Sequence, residues 1–421
     1  MSGFIKRALY RVAAWEWVWY LLLLPALLFP SGWRSLALLG IPLLWLLRWL
    51  ATRQFLPRTA FNGAILLMAV MALVSLYATF DMQLSFPKIA GLVMGMALFF
   101  TAVTYAQTHK QGQWHVVGFV LLTGTAMAGI GAIGMRWVGP LSPLNRVQDW
   151  LPTAVTQLPG TVSGVNANEL AGIMNWIAPL ALALLVGLGA KLWQEHKFIL
   201  LVLAGISLTS MLVLAGTFSR GGIASFGISI IVMLVMSGKW GRWLAGTAVL
   251  IALLLLLTLN LDTILPGTAD PTNENDPGLS ELGMDGRLEI WSRAVYGLED
   301  FPFTGMSMNG FRRVVHILYP LFLVSPDTDI AHAHNHLLQA GLDLGLPGLI
   351  AYLALWLING TLIWQSWKQA SQKEQRVLII GLAGALIGGW FFGILDTIAL
   401  GARPGFLWWL LLSLAATLHE S

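Results

Sequence analysis

Residues 197–238, KFILLVLAGISLTSMLVLAGTFSRGGIASFGISIIVMLVMSG, decide the fold. Two apolar runs, near 197–217 and 221–238, flank the short segment Thr217-Phe218-Ser219-Arg220-Gly221-Gly222. A helix of about 20 apolar residues crosses a bilayer core about 30 Å thick. The stretch therefore reads as two membrane helices joined by a tight turn. Reading outward gives about twelve such runs, near 15–30, 35–52, 60–79, 86–106, 114–136, 167–188, 197–217, 221–238, 242–262, 343–364, 376–395 and 403–418. The chain is 57% hydrophobic and 10% charged, against about 25% charged for a soluble domain. Such a chain would aggregate in water. The expected fold class is an all-α polytopic membrane protein. Cysteine is absent, which excludes disulfides and thiolate metal sites. The apolar run after Lys6, Arg7 and Arg11 lacks a small-residue cleavage site and reads as a first helix, not a signal peptide.

Two connections are long. Residues 137–166 hold four prolines, and 263–342 form an 80-residue loop, far beyond ordinary connections. The chain thus divides into helices one to nine within 1–262, the loop 263–342, and helices ten to twelve within 343–421. With the N-terminus in the cytoplasm, the inner segments carry 14 of the 24 basic residues and four of the 20 acids. This satisfies the positive-inside rule and puts both long loops outside and both termini inside. The inner bases are evenly Lys and Arg. The outer ones are Lys88 and nine arginines, Arg34, Arg136, Arg146, Arg220, Arg287, Arg293, Arg312, Arg313 and Arg403. Arginine presents a rigid fork of donors that matches phosphate oxygens, so an anionic ligand is expected on the outer face.

Within the long loop, residues 266–285 are rich in turn formers. From Arg287 to Leu298, the residues Leu288, Trp291, Val295 and Leu298 make an apolar stripe at helical spacing, and a second helical pattern covers about 307–318. Both are expected as amphipathic helices at the outer membrane boundary.

Three constellations carry chemistry. Ala331-His332-Ala333-His334-Asn335-His336 places three of eight histidines within five residues. It is read as a polar interfacial segment, as a metal pair formed by His332 and His336 at i, i+4, or as a general base. The metal reading lacks an evident third ligand. A neutral imidazole, with an ordinary pKa of about 6.5, can accept a hydroxyl proton at neutral pH. Arg220 lies in a turn with two glycines at the membrane edge, where an ionisable residue is a functional candidate by default, although an arginine snorkelling at a helix end gives the same pattern. Gly286-Arg287-Leu288-Glu289-Ile290-Trp291 is the third. There Arg293 fits a solvated helix face better than Arg287 does. Lys88, after Pro87, is read as a phosphate contact or as a snorkelling lysine, with the second preferred. Arg312-Arg313 reads as a headgroup contact.

The pattern His334-Asn335, nine residues, Gly345, two residues, Gly348 resembles the signature of the bacterial O-antigen ligase family, whose relatives include O-antigen polymerases and protein O-oligosaccharyltransferases. Ser219-Arg220-Gly221-Gly222 is similar to that family's first functional arginine segment, Arg287 before Trp291 to its second, and Gly164-Val165-Asn166-Ala167-Asn168 to its Gly…Asn segment, which assigns Asn168. The resemblance implies a GT-C-like glycosyltransferase of the bacterial inner membrane, with its site on the periplasmic side and no metal or cofactor. It implies transfer of a glycan from undecaprenyl diphosphate to lipid A–core, with inversion, or in the polymerase branch to another lipid-linked glycan. His334, Arg220 and Arg287 are then the catalytic candidates. Asn335, His332, His336, Asn168, Lys88 and Arg293 are candidate substrate contacts. A chain-length regulator is a further candidate partner, and nucleic acid is not an expected one. The chain ends soon after its twelfth run, which speaks against the oligosaccharyltransferase branch. The rival class is a transporter or flippase, but transporters place their sites near the bilayer midplane within repeated halves, and neither feature is visible here.

Overall fold

The computed structural model describes residues 15–28, 32–135, 137, 139–148, 150, 165–258 and 279–418. Among the described residues there is no strand, and the regular structure is helical. The helices are α1 (Glu16–Leu28), α2 (Gly40–Thr52), α3 (Asn62–Ala78), α4 (Met82–Thr108), α5 (Gly112–Gly134), α6 (Ala167–Glu195) and α7 (Lys197–Gly216). They continue with α8 (Arg220–Met236), α9 (Lys239–Thr258), α10 (Leu279–Asp300), α11 (Gly310–Leu318), α12 (His336–Gln369), α13 (Lys373–Leu395) and α14 (Phe406–Thr417). A helix stands at each of the twelve apolar runs. Six of them, α4, α5, α6, α7, α12 and α13, are long and apolar enough to cross a membrane. The turn-rich stretch 266–285 lies mostly outside the described residues, as do Arg136 and the second half of the 137–166 connection.

Helix α6 is the centre of the bundle and packs against α13, α7, α5 and α8, while α14 packs on α4 and α5, and α12 on α3 and α13. Lipid tails are as apolar as leucine, so close approach of helices has to come from small residues. Helix α13 supplies them. A Cβ at Gly388 would lie 2.2 Å from Ser229 Oγ, and one at Gly381 would lie 2.9 Å from the Ala183 methyl. Helices α6 and α13 are antiparallel. Lys191 near the end of α6 meets Glu374 at the start of α13 at 2.9 Å. Their opposite ends, carrying Glu169 and Asp396, therefore lie together at the far side of the bundle from the lysines.

The 80-residue connection ends in a packed cap. Ile290 and Ala294 of α10, Phe311 and Val315 of α11, Ile330, Ala333 and Leu342 form a second apolar core. The buried face of α10 is not the expected stripe. Leu288 and Val295 are exposed, whereas the smaller Ala294 and Gly297 face inward. The reason is closeness: a Cβ on Gly297 would come within 3.0 Å of the Leu342 side chain. The larger apolar groups are left facing out, with Phe322 85% and Ile317 74% exposed. These helices therefore bury one face in protein and present the other outward, where a membrane boundary would meet it. Glu289 organises the loop that follows α11, its carboxylate accepting from the backbone N–H groups of Phe322, Leu323 and Val324 at 2.6, 2.9 and 3.1 Å.

Helix α12 is broken. Gly345 has φ 68° and ψ 178°, a region open essentially to glycine alone. The break folds residues 336–344 back, so that the His336 ring lies 5.5 Å from that of Tyr352, although sixteen residues of straight helix span about 24 Å. Helix α12 is therefore two pieces in space, and the tenth apolar run, 343–364, lies almost wholly in the second. Only the segment after Gly345 runs down the bundle. A Cβ on Gly345 would lie 2.0 Å from the Phe303 carbonyl oxygen, and Leu346 N–H donates to Pro302 at 2.7 Å.

Gly345→Ala is expected to cost on the order of 3 kcal/mol or more, from the forbidden backbone region and the blocked approach of Phe303. Gly360→Ala, on the same helix and facing open space, is the control and is expected to be neutral or slightly stabilising. Thermal unfolding of both variants in detergent makes the comparison. A second expectation concerns pH. Burial pushes the Glu289 carboxyl up, but its backbone donors and Arg293 outweigh this and hold it below the ordinary range. Its contribution is complete above the unfolded value of about 4.3 and is lost as pH falls through the lower folded value. Amide exchange at Phe322–Val324 should accelerate on acidification beyond its intrinsic chemistry. In Glu289→Gln it should already be fast at neutral pH.

Candidate functional site

The site forms where the broken end of α12 meets the far end of α13. Asn335 makes the joint. Its Oδ1 caps α12 by accepting from Leu337 and Leu338 N–H at 2.9 and 3.2 Å, and its Nδ2 donates to the Ile394 carbonyl at 3.1 Å. This holds His334 beside the residue that follows α13, Asp396. His334 Nδ1 lies 3.2 Å from Asp396 Oδ1. His334 has φ 50°, an uncommon conformation for a non-glycine residue. Its neighbours fix it. The Ala333 N–H donates to Gln339 Oε1 at 2.8 Å, and the Trp291 indole N–H donates to the His334 carbonyl at 3.3 Å.

Trp291 also explains the spacing of the second arginine segment. It lies four residues after Arg287 on α10, on the same helix face, so docking the indole on His334 brings Arg287 to Asp396. The Arg287 guanidinium is 4.0 Å from Asp396 Oδ2. The Thr397 N–H donates to Asp396 Oδ1 at 2.8 Å. Burial works to raise the Asp396 carboxyl, but His334, which also hydrogen-bonds it, and Arg287 hold it below the ordinary carboxylate range. It is ionised at any physiological pH. His332 Nε2 lies 3.6 Å from the same Oδ1. Burial and the neighbouring His334, Lys88 and Arg312 push His332 down to about 3 against the pull of Asp396. His332 is therefore neutral, and its Nδ1 accepts the His334 N–H at 3.2 Å.

Arg220 is the first residue of α8 and is exposed. Ser219 caps the helix by accepting from Gly222 N–H at 3.3 Å, and the Gly222 carbonyl accepts from Asn175 of α6 at 3.0 Å. Gly221 packs beside Leu395, the neighbour of Asp396. The turn is thus pinned next to the His334–Asp396 pair. Lys88 enters from α4, half-buried, with Glu169 and Asp343 as its strongest charge neighbours and Arg312 and Arg403 close by.

Other candidates lie elsewhere. His336 is buried with its ring turned away from His334, and its Nδ1 is 3.0 Å from the Tyr352 hydroxyl. The i, i+4 metal pair of His332 and His336 does not form, because His332 precedes the helix. The group that converges is His332, His334 and Asp396, whose ligand atoms lie within 4.8 Å of one another. A Zn²⁺ ion would suit that donor set, but the second Asp396 oxygen faces the Arg287 cation, a poor neighbour for a metal. Arg293 is engaged by Glu289, Ser292 and the Pro320 carbonyl, and so serves the cap. Asn168 lies in the first turn of α6, whose cap is Asn166. Arg312 pairs with Asp329 through two bonds. Asp396, Glu169, Asp343 and Gln339 were not singled out by sequence reading. A lone acid at the end of an apolar run was the available signal for Asp396.

Fold and site together define a multi-pass membrane protein with a histidine–carboxylate–arginine centre at one end of its helix bundle. Residues 203–353 match the family model described as O-antigen ligase, and the match supports a place in that family. That match supports an activity of the O-antigen ligase or polymerase type. No curated protein matches the chain.

Asn335→Ala removes both the cap and the tie to α13. The loss of the cap alone costs about 1 kcal/mol. Asn335→Asp keeps the cap but replaces the donor to Ile394 with a second acceptor. If the tie positions His334, the Asp variant should melt nearer to the wild type than Ala does and yet lose turnover. Paired melting and transfer assays decide this.

Proposed function

We propose that this protein is an O-antigen ligase, moving a glycan from undecaprenyl diphosphate to the lipid A–core of lipopolysaccharide at the outer face of the bacterial inner membrane. The observation that carries the reading is the His334–Asp396 bond, 3.2 Å long, with Arg287 on the other carboxylate oxygen. Support for the orientation comes from the separation of the lysine-rich helix ends from the site end. The helices at all twelve apolar runs support twelve crossings. The GT-C likeness rests on the family resemblance.

In the proposed mechanism, Asp396 accepts from His334 Nδ1–H. This leaves Nε2 unprotonated and facing the acceptor hydroxyl. Nε2 takes the hydroxyl proton as the oxygen attacks the anomeric carbon. The bond from that carbon to the diphosphate oxygen breaks, and the electron pair leaves with the diphosphate. Attack opposite the leaving group inverts the anomeric configuration. Arg220 and Arg287 meet the charge that develops on the diphosphate. Protonation of His334 strengthens its hold on Asp396 and releases Arg287 toward the leaving group. His332, kept neutral, adds no cation beside the base.

The test uses purified protein, an undecaprenyl-diphosphate-linked oligosaccharide, and lipid A–core present or absent. Transfer onto lipid A–core supports the ligase, whereas growth of lipid-linked ladders without it assigns the polymerase branch. His334→Ala is expected to lower turnover roughly 10²–10⁴-fold, Arg220→Ala on the order of 10²–10³-fold, and Asp396→Asn by an amount comparable to the base itself. Near-normal turnover in folded His334→Ala removes the base from the mechanism.

A further inference from the structure

The end of the bundle away from His334 holds a cluster that the proposed chemistry does not use. Past the break at Gly345, Ile350, Leu357 and Trp364 of α12 are 60%, 71% and 52% exposed. They stand seven residues apart, close to two helical turns, and so share one outward stripe. From Ile350 to Lys368 this stripe is about 27 Å long at 1.5 Å per residue, against about 30 Å for a bilayer core. Its apolar length matches lipid tails, and its end falls at headgroup depth. There the apolar residues give way to Trp364 and Lys368.

Two tryptophans and two cations meet at that end. The Lys368 ammonium lies 4.7 Å from the centre of the Trp364 ring, and the Arg376 guanidinium of α13 lies 5.9 Å from that of Trp367. The two indoles are 5.3 Å apart. Trp367 is fixed from a third helix, its Nε1–H donating to the Met236 carbonyl at the end of α8 at 3.2 Å. Lys373 adds a third exposed cation. The acid among them, Glu374, is engaged by Lys191 at 2.9 Å. Helix α13 opens here without a side-chain cap at Gln372, so the positive end of its dipole adds to the three cations.

The combination restricts the occupant. A lysine that only snorkels reaches for water, whereas these cations lie over two packed indoles. Three cations on one surface call for an anion. A free phosphate meets the charge and makes no use of the stripe. A zwitterionic lipid uses the stripe but brings a further cation into the cluster. A lipid with an anionic headgroup satisfies both features, and basic pockets between membrane helices are where such headgroups bind. We propose that the foot of α12 and α13 binds one anionic phospholipid, its phosphate held by Lys368 and Arg376 beside the Trp364–Trp367 pair and an acyl chain lying along Leu357 and Ile350. The site is far from His334 and is independent of glycan transfer.

The chain has no cysteine, so one introduced thiol carries one label. Ser371→Cys lies beside the cluster, and Gln111→Cys lies at the same end of the bundle beside Lys110; both positions are exposed. Each is labelled with bimane in the purified full chain and placed in nanodiscs. Phosphatidylglycerol or phosphatidylcholine, with a nitroxide at the top of one acyl chain, is titrated at constant total lipid. The label at position 371 is expected to be quenched by phosphatidylglycerol at a mole fraction about ten-fold or more below that of phosphatidylcholine, and the label at position 111 to show far less preference. Lys368→Gln and Arg376→Gln should each lower the preference at 371 roughly five-fold, the worth of one cation near an anionic surface, and leave position 111 unchanged. Trp364→Leu should lower it without a change of charge. Equal preference at the two positions means diffuse attraction to a basic surface and overturns the site. So does a preference at 371 that survives in Lys368→Gln/Arg376→Gln. Displacement of the lipid by equimolar glycerol phosphate assigns the cluster to a soluble anion and rejects the lipid.

Discussion

A helix that turns back on itself inside a membrane protein has to find new partners for the backbone groups it frees. Lipid supplies none, so such a break survives only where protein encloses it. The break of α12 at Gly345 meets this condition through the Leu346 N–H bond to the Pro302 carbonyl and the Met306 N–H bond to the Leu342 carbonyl on one side and the caps at Asn335 on the other. The rest of the site follows from it. Folding back lowers residues 334–336 into the bundle beside the end of α13, where a loop histidine gains a buried carboxylate. The two glycines of the His–Asn…Gly…Gly pattern thus act on geometry and the first two residues on chemistry. Their fixed spacing is the length of the folded-back segment.

The cap over the site obeys the same constraint. Loop backbone in this position cannot be left bare, and each turn is tied to a buried acceptor. Met308 N–H donates to Ser75 of α3 at 2.7 Å, and Asn309 N–H donates to Asp343 of α12 at 2.9 Å. Asp343 also accepts from Gln339 at 2.8 Å. Gln339 in turn takes the Ala333 N–H, next to His334. The acid therefore links the cap, the folded-back helix and the backbone beside His334, the proposed base, through a continuous chain of hydrogen bonds. Fully satisfied networks of this kind rigidify a site, which suits a base that must hold its angle to a hydroxyl.

Much of this was legible in the sequence, and the exceptions have physical causes. Each apolar run has a helix because hydrophobic length is a strong local signal. That signal carries no information on how a helix lies, so it did not separate the six long apolar helices from the shorter ones. The helices of the long connection were legible as well, but the buried face of α10 was not. Large side chains dominate a periodicity count, whereas here Ala294 and Gly297 set the contact by their smallness. His334, Arg220 and Arg287 were read from motif resemblance, and the structure gathers their segments at one end of the bundle. The i, i+4 spacing of His332 and His336 assumes a helix, and the helix begins only at His336. Arg293 misled because sequence does not reveal that Glu289 and the Pro320 carbonyl engage it. Asp396 escaped because its partners lie 62 and 64 residues away in the chain, and a lone acid has no spacing to read.

The balance of charge around His334 shows why acids belong in a site proposed to bind an anion. Cations held in a poorly solvated site are costly when unpaired. Arg287 rests against Asp396, and Glu169 and Asp343 are the acids that act most strongly on Lys88. Each cation thereby has acidic neighbours within the protein. A diphosphate arriving in the site does not have to pull these cations out of water; it competes with carboxylates already there. That competition weakens ground-state binding. In the proposed mechanism it becomes favourable when negative charge builds up on the leaving oxygen and His334 gains the proton that lets it take Asp396 for itself. The acids thus shift the stabilising power of the arginines from the bound substrate toward the transition state, which is the only place where it accelerates the reaction.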